Sequence, residues 1–532
     1  MIMNMKKIFS MALACLIIVA TFAMAIPTAA ESAAFSVAKK DGTEVGSYAT
    51  YNEALEAAFT AGGGTINMLT DYTLTATAYT DTDKTTCTDI VINGNGHTLT
   101  TEKQPFTFTA GDNLTVNNLK VDMVKSQRFV DILGGSTLTF NQVTFTSSAY
   151  LDDQYGHFRT PNADDVSAET VNTLNFKDCS ITLTGKGTVI GIRKGAHILD
   201  VNMDGCTVTG ALETEGQNQG GFVYGVRNVN LNNTNVKVLH RVFWDLKGGD
   251  TVRITGNSTI QNTSSSKFLI SVQDDYDFIL GENVKLIGAM FAEAKGTTEF
   301  LNIYAYNPNF YYTDAETAYP YFNAPVMNDG ATLRVSAEEP NYGLRFTATC
   351  APATLDNAET ADVKESLVDH AKYGTVITKD TYLEKGLWAE GVQGKATDAA
   401  KGIFLAVEAK NGISVAEDGA LTMNTALANI KDANLDSTFY ARSYAMYSLD
   451  KYELINVYVF SELDTEKHGA SYTDTINKTL AESVKDASED GFTTEVSSYV
   501  AANGGVYTWV DGTKYTCYSR EQYEALMAIA KK

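Results

Sequence analysis

The stretch Leu114-Thr-Val116-Asn117-Asn-Leu119-Lys-Val121 recurs in near-copies through the first half of the chain and decides its fold. Each copy begins with two apolar residues that alternate with a polar one, followed by a turn residue. Copies begin at Ile66, Ile90, Leu114 and Leu138, each 24 residues after the previous one. Later copies begin near Leu174, Val201, Val229, Val252 and Phe278, at spacings of 36, 27, 28, 23 and 26. Such a period predicts a solenoid, and alternation with a period of two predicts strands.

A second apolar-x-apolar arm with a glycine shortly after it completes each repeat. Phe106-Thr-Phe108 precedes Gly111, and Val130-Asp-Ile132 precedes Gly134. Because glycine suits sharp turns with positive φ, one coil is predicted to contain about three short strands joined by tight turns. Stacking of coils then builds the core. The asparagines at 93, 117 and 141 share one register, and strands stack roughly 4.8 Å apart, so we expect an amide ladder.

Residues 48 to about 305 resemble the pectate-lyase-like right-handed parallel β-helix superfamily. The stretch Ile90-Val-Ile-Asn-Gly-Asn-Gly-His97-Thr-Leu99 carries this resemblance. It is similar to an early coil that occurs in enzymes of the superfamily and in its non-enzymatic surface proteins. The resemblance therefore implies a right-handed parallel β-helix and implies no particular reaction.

The chain is too long, at 532 residues, for one ordinary core, so two domains are expected. Lys6-Lys7, an apolar run from Ile8 to Ala23 and small residues up to Ala30 predict a secretory signal peptide at 1–30. We expect the β-helix domain at 31–323. After Ala324-Pro325 the repeat stops and helical segments enter, which predicts an α+β domain at 324–532.

A short helix is predicted ahead of the repeats. Thr50-Tyr-Asn-Glu53 has the pattern of a capping box, and the apolar residues that follow have helical spacing up to Phe59. Gly62 and its neighbours end it. A helix at this place covers the N-terminal end of the solenoid, whose strands otherwise offer unpaired backbone to other chains.

The C-terminal half predicts strands at 330–334, 343–349, 373–377 and 439–447, and helices that begin at Tyr472 and Ser519. It resembles an α+β module at the C-terminus of secreted proteins from gut Firmicutes, through its Gly-Leu-Arg-Phe, Tyr-Gly-Thr and Ala-Arg-Ser-Tyr segments. This resemblance implies no activity.

The aromatic residues between Ile303 and Phe322 either seal the last coil or stack on sugar rings, and we favour the seal.

Charge and composition restrict the partners. The chain has 41 basic and 64 acidic residues and a formal net charge of −23, which argues against nucleic acid and anionic membrane surfaces. No second apolar stretch reaches about 18 residues, so no membrane span is expected.

Cys179 and Cys206 have the same place in consecutive coils. They are either a disulfide or core-facing thiols, and we favour the core.

The longest gap between repeats predicts a binding loop. The 36 residues from Leu138 to Leu174 contain an insertion, roughly 147–173, and long loops on a rigid scaffold often carry function. The candidate binding residues are Asp152, Asp153, Tyr155, His157 and Arg159, together with Trp244 in a later coil. No histidine or cysteine spacing predicts a metal site.

The resemblance also implies a possible catalytic set. Lyases of this fold use calcium held by carboxylates and an Arg or Lys base. The candidates here are Arg128, Asp131, Arg241, Asp245, Asp274 and Asp275. Asp274-Asp275 is similar to the paired acids of polygalacturonases, but the Gly-His-Gly and Arg-Ile-Lys segments of that family do not follow it, and the lyases' Arg-x-Pro-x-x-Arg segment is missing.

We therefore expect a secreted β-helix protein without catalysis that binds glycan or cell-envelope material and uses no cofactor. One alternative is a calcium-dependent polysaccharide lyase or glycosidase that acts on an acidic polysaccharide. Another is a structural or self-associating surface protein. The oligomeric state stays open.

Overall fold

A computed structural model shows a mainly β protein, with 49% strand and 9% helix, built on a β-solenoid of about 8 turns. The structure describes residues 32–80, 88–108, 111–125, 127–148, 151, 156–161, 170–193, 198–210, 220–249, 251–288, 290–294, 298–306, 309–311, 322–334, 343–352, 361–393, 400–410, 412–475, 505–508 and 514–517. The chain divides into two compact units, 1–211 and 212–532. The domain limits expected from the sequence, and the signal peptide at 1–30, stay predictions.

The first unit contains one helix and eighteen strands among its described residues. The helix is α1 (Tyr51–Thr60). The strands are β1 (Phe35–Ala38), β2 (Glu44–Tyr48), β3 (Gly64–Met68), β4 (Tyr72–Leu74), β5 (Asp89–Asn93), β6 (Thr98–Thr101), β7 (Phe106–Phe108), β8 (Asn113–Asn117), β9 (Lys120–Met123), β10 (Val130–Ile132), β11 (Thr137–Asn141), β12 (Thr144–Ser147), β13 (Phe158–Thr160), β14 (Val171–Lys177), β15 (Ser180–Leu183), β16 (Ile190–Ile192), β17 (Ile198–Asp204) and β18 (Thr207–Thr209).

These strands form three parallel sheets, as the repeat predicts. The first sheet runs β3, β5, β8, β11, β14 and β17, the second β4, β6, β9, β12, β15 and β18, and the third β7, β10, β13 and β16. The register follows the sequence repeat, with Leu114 beside Ile90 on one side and Leu138 on the other. Apolar residues of all three sheets point inward, and Phe140 and Phe176 stack with centroids 5.3 Å apart.

The predicted asparagine ladder is present. Asn93 Nδ2 donates to Asn67 Oδ1 at 2.9 Å, Asn117 to Asn93 at 3.0 Å, and Asn141 to Asn117 at 2.9 Å. The residues that follow Asn117 and Asn141 turn the chain into the next strand with positive φ, 46° at Asn118 and 55° at Gln142. Residues with short polar side chains and glycine tolerate this left-handed conformation best, which explains the recurrent polar residue there.

The predicted capping helix is also present. Thr50 accepts a hydrogen bond from the backbone N–H of Glu53, and the Glu53 side chain accepts one from the backbone N–H of Thr50. The helix buries its apolar side chains against β1, β2 and β3. Cys179 and Cys206 are buried thiols that form no disulfide bond, which confirms their predicted core-facing position.

The second unit begins with further coils, formed by β19 (Val223–Tyr224), β20 (Val229–Asn232), β21 (Asn235–Val238), β22 (Phe243–Leu246), β23 (Thr251–Thr255), β24 (Thr259–Asn262), β25 (Phe268–Val272), β26 (Tyr276–Leu280), β27 (Lys285–Ile287), β28 (Met290–Ala294), β29 (Leu301–Ala305) and β30 (Asn309–Tyr311). Its first sheet contains β20, β23, β26 and β29, its second β21, β24, β27 and β30, and its third β19, β22, β25 and β28.

The rest of this unit is α+β, as expected. Its strands are β31 (Val326–Met327), β32 (Thr332–Leu333), β33 (Gly343–Cys350), β34 (Lys372–Lys379), β35 (Phe404–Glu408), β36 (Ile413–Val415), β37 (Leu421–Ala428), β38 (Phe439–Ser448), β39 (Ile455–Phe460), β40 (Gly469–Ala470), β41 (Gly505–Thr508) and β42 (Lys514–Cys517). Its helices are α2 (Ala361–Asp369) and α3 (Trp388–Val392), with 3-10 turns at Asp380–Lys385 and Asp432–Asn434. Among the described residues, no helix is long and apolar enough to cross a membrane.

Strand β39 joins this α+β region to the last coil. It pairs in parallel with β29, with Asn456 beside Asn302 and Tyr458 beside Tyr304, and then pairs antiparallel with β38. The rings of Tyr304 and Tyr458 stack at 4.7 Å, and Tyr306 contacts Phe460 edge to face at 5.2 Å. The favoured sealing role is thereby confirmed for Tyr304 and Tyr306.

Candidate functional site

The candidates from the predicted binding loop fall into two groups. Asp152, Asp153 and Tyr155 lie outside the described residues. His157 directly precedes β13, and Arg159 belongs to it. Strand β13 pairs with β10 and β16 as a wall strand of the solenoid. Both residues therefore lie in or beside the solenoid wall, where His157 and all three residues of β13 are buried, and their role in binding stays a prediction.

His157 is fully buried and its ring lies 5.8 Å from that of Phe129. Neither ring nitrogen has a hydrogen-bond partner in the structure. Burial, together with the nearby charge of Arg128, lowers the pKa of His157 to about 3. The imidazole is therefore neutral at physiological pH, and its place in the core is a structural one.

Asp131 and Arg159 form an ion pair between neighbouring wall strands. Arg159 Nε donates to Asp131 Oδ1 at 2.7 Å and its Nη2 donates to Asp131 Oδ2 at 3.4 Å. Both side chains are mostly buried. This two-contact geometry is a strong cross-strand link. The sequence interpretation placed Arg159 in the loop and Asp131 in the catalytic set, whereas the structure makes them partners.

Arg241 and Trp244 lie together in the second unit. The Arg241 guanidinium donates to Glu293 Oε1 at 3.1 Å and lies 5.5 Å from the centroid of the Trp244 ring. Trp244 is buried and contacts Tyr224 edge to face. The indole is therefore part of the coil wall, and it offers little surface to a sugar.

The three candidate carboxylates of the second unit hold the backbone and neighbouring side chains. Asp245 is buried at a φ of 52° and accepts hydrogen bonds from Ser271 and Gln273. Asp274 accepts from the backbone N–H of Gly248, and Asp275 from that of Phe300 at 2.8 Å. Although adjacent in sequence, Asp274 and Asp275 thus serve different turns.

Among the described residues, no group of three His, Cys, Asp or Glu side chains is arranged to hold a metal ion.

A groove that the sequence did not reveal lies where β39 joins the last coil. We call it the hairpin groove, since the turn between β38 and β39 forms one wall. Its volume is about 500 Å³, and its main lining residues are Phe300, Asn302, Lys372, Glu408, Tyr452 and Asn456. It combines aromatic rings with amides, carboxylates and ammonium groups, which is the chemistry of a site for a polar ligand with apolar faces.

The turn at 449–454 is held in a defined conformation. Asp450 accepts hydrogen bonds from the backbone N–H groups of Leu454 at 2.7 Å and Ile455 at 2.9 Å. This arrangement leaves Glu453 with a φ of 55°, an uncommon conformation for a residue with a side chain. Such backbone strain is concentrated at functional sites in proteins.

Glu453 links the turn to the neighbouring strand. Its carboxylate accepts hydrogen bonds from Lys372 and, at 3.1 Å, from His370 Nδ1. The hydrogen bond from Lys372 is the main cause that holds the pKa of Glu453 below its usual value. The carboxylate is therefore ionised near neutral pH, and Lys372 forms an ion pair with it.

Two aromatic rings are exposed at the rim. The side chain of Tyr452 is 68% exposed and that of Phe300 is 45% exposed. Phe300 is fixed from both sides, because its N–H donates to Asp275 and its carbonyl accepts from the backbone N–H of Tyr276 at 2.8 Å. Rings held open to solvent by a fixed backbone provide stacking surfaces without a large entropy cost on binding.

The floor of the groove is formed by Asn302, Asn456 and Tyr458. Burial raises the pKa of Tyr458 to about 12, so its hydroxyl stays protonated. The groove therefore presents neutral hydrogen-bonding groups beneath an aromatic rim.

No known protein family, curated protein or solved structure matches the chain.

Proposed function

We propose that the protein is a secreted β-helix protein without catalysis that binds glycan or cell-envelope material through the hairpin groove. The solenoid is the rigid support, and the groove is the binding site. The observation that carries the proposal is the exposed pair Phe300 and Tyr452 above a polar floor. Aromatic faces contact the C–H faces of sugar rings, while amides and carboxylates bond to sugar hydroxyl groups.

The positions of the predicted catalytic residues favour binding over turnover. Asp131, Asp245, Asp274 and Asp275 all accept hydrogen bonds from the protein's own donors. Asp275 in particular supports the backbone of Phe300. We assign it a positioning role in the groove in place of the acid or base role expected from its sequence.

The test is binding of the purified protein to a glycan array, followed by titration of each bound glycan. Tyr452→Ala and Phe300→Ala are expected to lower affinity at least tenfold, about 1.4 kcal/mol, because each removes a stacking surface. Val415→Ala is the matched control, since Val415 is 67% exposed outside the groove. An array without any bound glycan, or unchanged affinity in both aromatic variants, would overturn the proposal.

The same samples test the absence of catalysis. The protein is incubated with bound polysaccharides, with and without calcium, and both reducing ends and the ultraviolet absorbance of unsaturated uronates are followed. We expect neither signal to rise. A calcium-dependent rise in absorbance would establish a lyase, and reducing ends alone would establish a hydrolase.

A further inference from the structure

The amide ladder at the floor of the hairpin groove has a fixed direction. It begins at Asp277, whose carboxylate accepts from Gln393 Nε2 at 2.8 Å and from Asn302 Nδ2 at 3.0 Å. An ionised carboxylate only accepts hydrogen bonds, so Asn302 must turn its NH₂ group toward Asp277. Its oxygen consequently faces Asn456, and Asn456 Nδ2 donates to it at 3.2 Å.

This direction leaves an acceptor without a donor at the end of the ladder. Asn456 Nδ2 donates to the carbonyl of Glu453 at 2.8 Å as well as to Asn302, which fixes the amide orientation twice. Asn456 is only 6% exposed, and its Oδ1 has no hydrogen-bond partner in the structure. Buried amide oxygens are nearly always paired, so an unpaired one beneath a groove indicates a place for a ligand donor.

The charges around the groove are balanced, and its cations are not arranged to hold an anion. Lys372 is bound to Glu453. Lys451 is solvent-exposed and lies 5.1 Å above the ring of Tyr452, where solvent and salt screen its charge. Two lysines and two glutamates line the groove, so their formal charges cancel. Glu408 is exposed and presents a second acceptor, with one of its carboxylate oxygens 3.6 Å from Lys410 Nζ.

Each carboxylate of the groove already has a cation beside it, Lys372 at Glu453 and Lys410 at Glu408, so neither of these cations is left for the carboxylate of an acidic sugar. An ionised sugar carboxylate has no proton to donate to Asn456 Oδ1, and it would be placed beside the like charges of Glu408 and Glu453. The net charge of −23 on the whole chain adds a long-range repulsion against polyanions. A neutral sugar has no such cost, and its hydroxyl groups supply the donors that the floor requires.

Resting on the proposed function, we propose that the hairpin groove selects an uncharged glycan whose hydroxyl groups donate to Asn456 Oδ1 and to the Glu408 carboxylate. It discriminates against polysaccharides that contain uronate. Because Asn456 Oδ1 is buried in the unliganded groove, a neighbouring group has to move as the ligand enters.

The probes are hexasaccharides in matched pairs that differ only by oxidation of C6 to a carboxylate: β-1,4-glucan and glucuronan, β-1,4-mannan and mannuronan, and α-1,4-galactan and galacturonan. Binding is measured by calorimetry at low and high salt. For at least one pair we expect the neutral member to bind ten times more tightly or better, with the difference largest at low salt. Uronates that bind as tightly as the neutral members, or more tightly, would overturn the selection while leaving glycan binding intact.

Variants then assign the selection to named groups. Asn456→Leu removes the terminal acceptor and is expected to lower affinity for the neutral hexasaccharide at least tenfold. Asn117→Leu is its matched control, because Asn117 is a ladder asparagine of the first unit. Glu408→Lys is expected to narrow or reverse the preference for the neutral member. An unchanged preference in Glu408→Lys, or unchanged affinity in Asn456→Leu, would contradict the assignment. Absence of binding by all six probes would overturn both the selection and the groove's role in binding these glycans.

Discussion

The side chain of Arg442 is a buried polar link between the α+β region and the last coils of the second unit. It is 2% exposed, and it donates to the carbonyl of Ser461 at 2.6 Å, to the carbonyl of Tyr306 at 2.8 Å and to Glu282 at 3.1 Å. Its guanidinium also lies 4.6 Å from the centroid of the Tyr306 ring. Replacing it by methionine tests whether these contacts determine the stability of this region.

The expected loss follows from the individual contacts. Glu282 is 52% exposed, so its ion pair contributes little. The two carbonyls lose charged donors, at about 1.5–3 kcal/mol each. Methionine keeps most of the side-chain volume and offsets part of this loss through apolar burial. We therefore expect Arg442→Met to lower the free energy of unfolding by about 3 kcal/mol.

Trp388 provides a local signal for this experiment. It packs edge to face on Phe404 at 5.1 Å, in the core cluster that also contains Phe460. In a Trp244→Phe, Trp509→Phe background, fluorescence during urea unfolding reports the surroundings of Trp388 alone. Arg345→Met, at an exposed position of β33, is the control and is expected to change stability by less than about 0.5 kcal/mol. If Arg442→Met unfolds at the same urea concentration as the control, the role assigned to Arg442 is wrong.

Two further predictions concern the first unit. His157 has a pKa of about 3 in the folded protein, against an ordinary value of 6.5. Between these two pH values the unfolded chain binds a proton at this histidine that the folded protein does not bind. The free energy of unfolding therefore falls by about 1.4 kcal/mol for each pH unit as the pH is lowered. Urea midpoints at several pH values between neutral and mildly acidic should fall less steeply in His157→Leu than in the unmodified protein, and equal slopes would refute the assignment. Asn117→Leu breaks the ladder bonds to Asn93 and Asn141 and is expected to lower the free energy of unfolding by about 2 kcal/mol, as measured by urea unfolding; an unchanged midpoint would show that the half-buried ladder contributes nothing net.

The sequence predicts the solenoid well because its information is local. The 24-residue period fixes which strands stack, and the polar residues after Asn117 and Asn141 mark turns with positive φ, at Asn118 and Gln142. The capping box at Thr50 is equally local. Each of these features depends on residues within one coil or one helical turn, so a single sequence contains all of the required signals.

The hairpin groove could not be found in this way. Its floor pairs Asn302 with Asn456, 154 residues later in the chain, and no repeat connects the two segments. The one local signal was the turn at 449–454, where Asp450 precedes the exposed Tyr452. The same limit applies to three candidates chosen from the sequence. Neighbouring coils pair Asp131 with Arg159 and bury His157, which no local pattern reveals, and the role of these residues in binding or catalysis stays a prediction.

The end of the parallel ladder and the groove have a common physical origin. The outer edge of β29 would expose a row of unpaired backbone groups, and such edges promote aggregation. Strand β39 covers this edge in parallel and then pairs antiparallel with β38, so the chain must reverse tightly beside the last coil. That reversal is the turn held by Asp450, and it places Tyr452 and Glu453 next to Phe300 and the last amide of the ladder. The contacts that close the edge of the sheet therefore also build the hairpin groove, and a change that loosens the turn at Asp450 should weaken both.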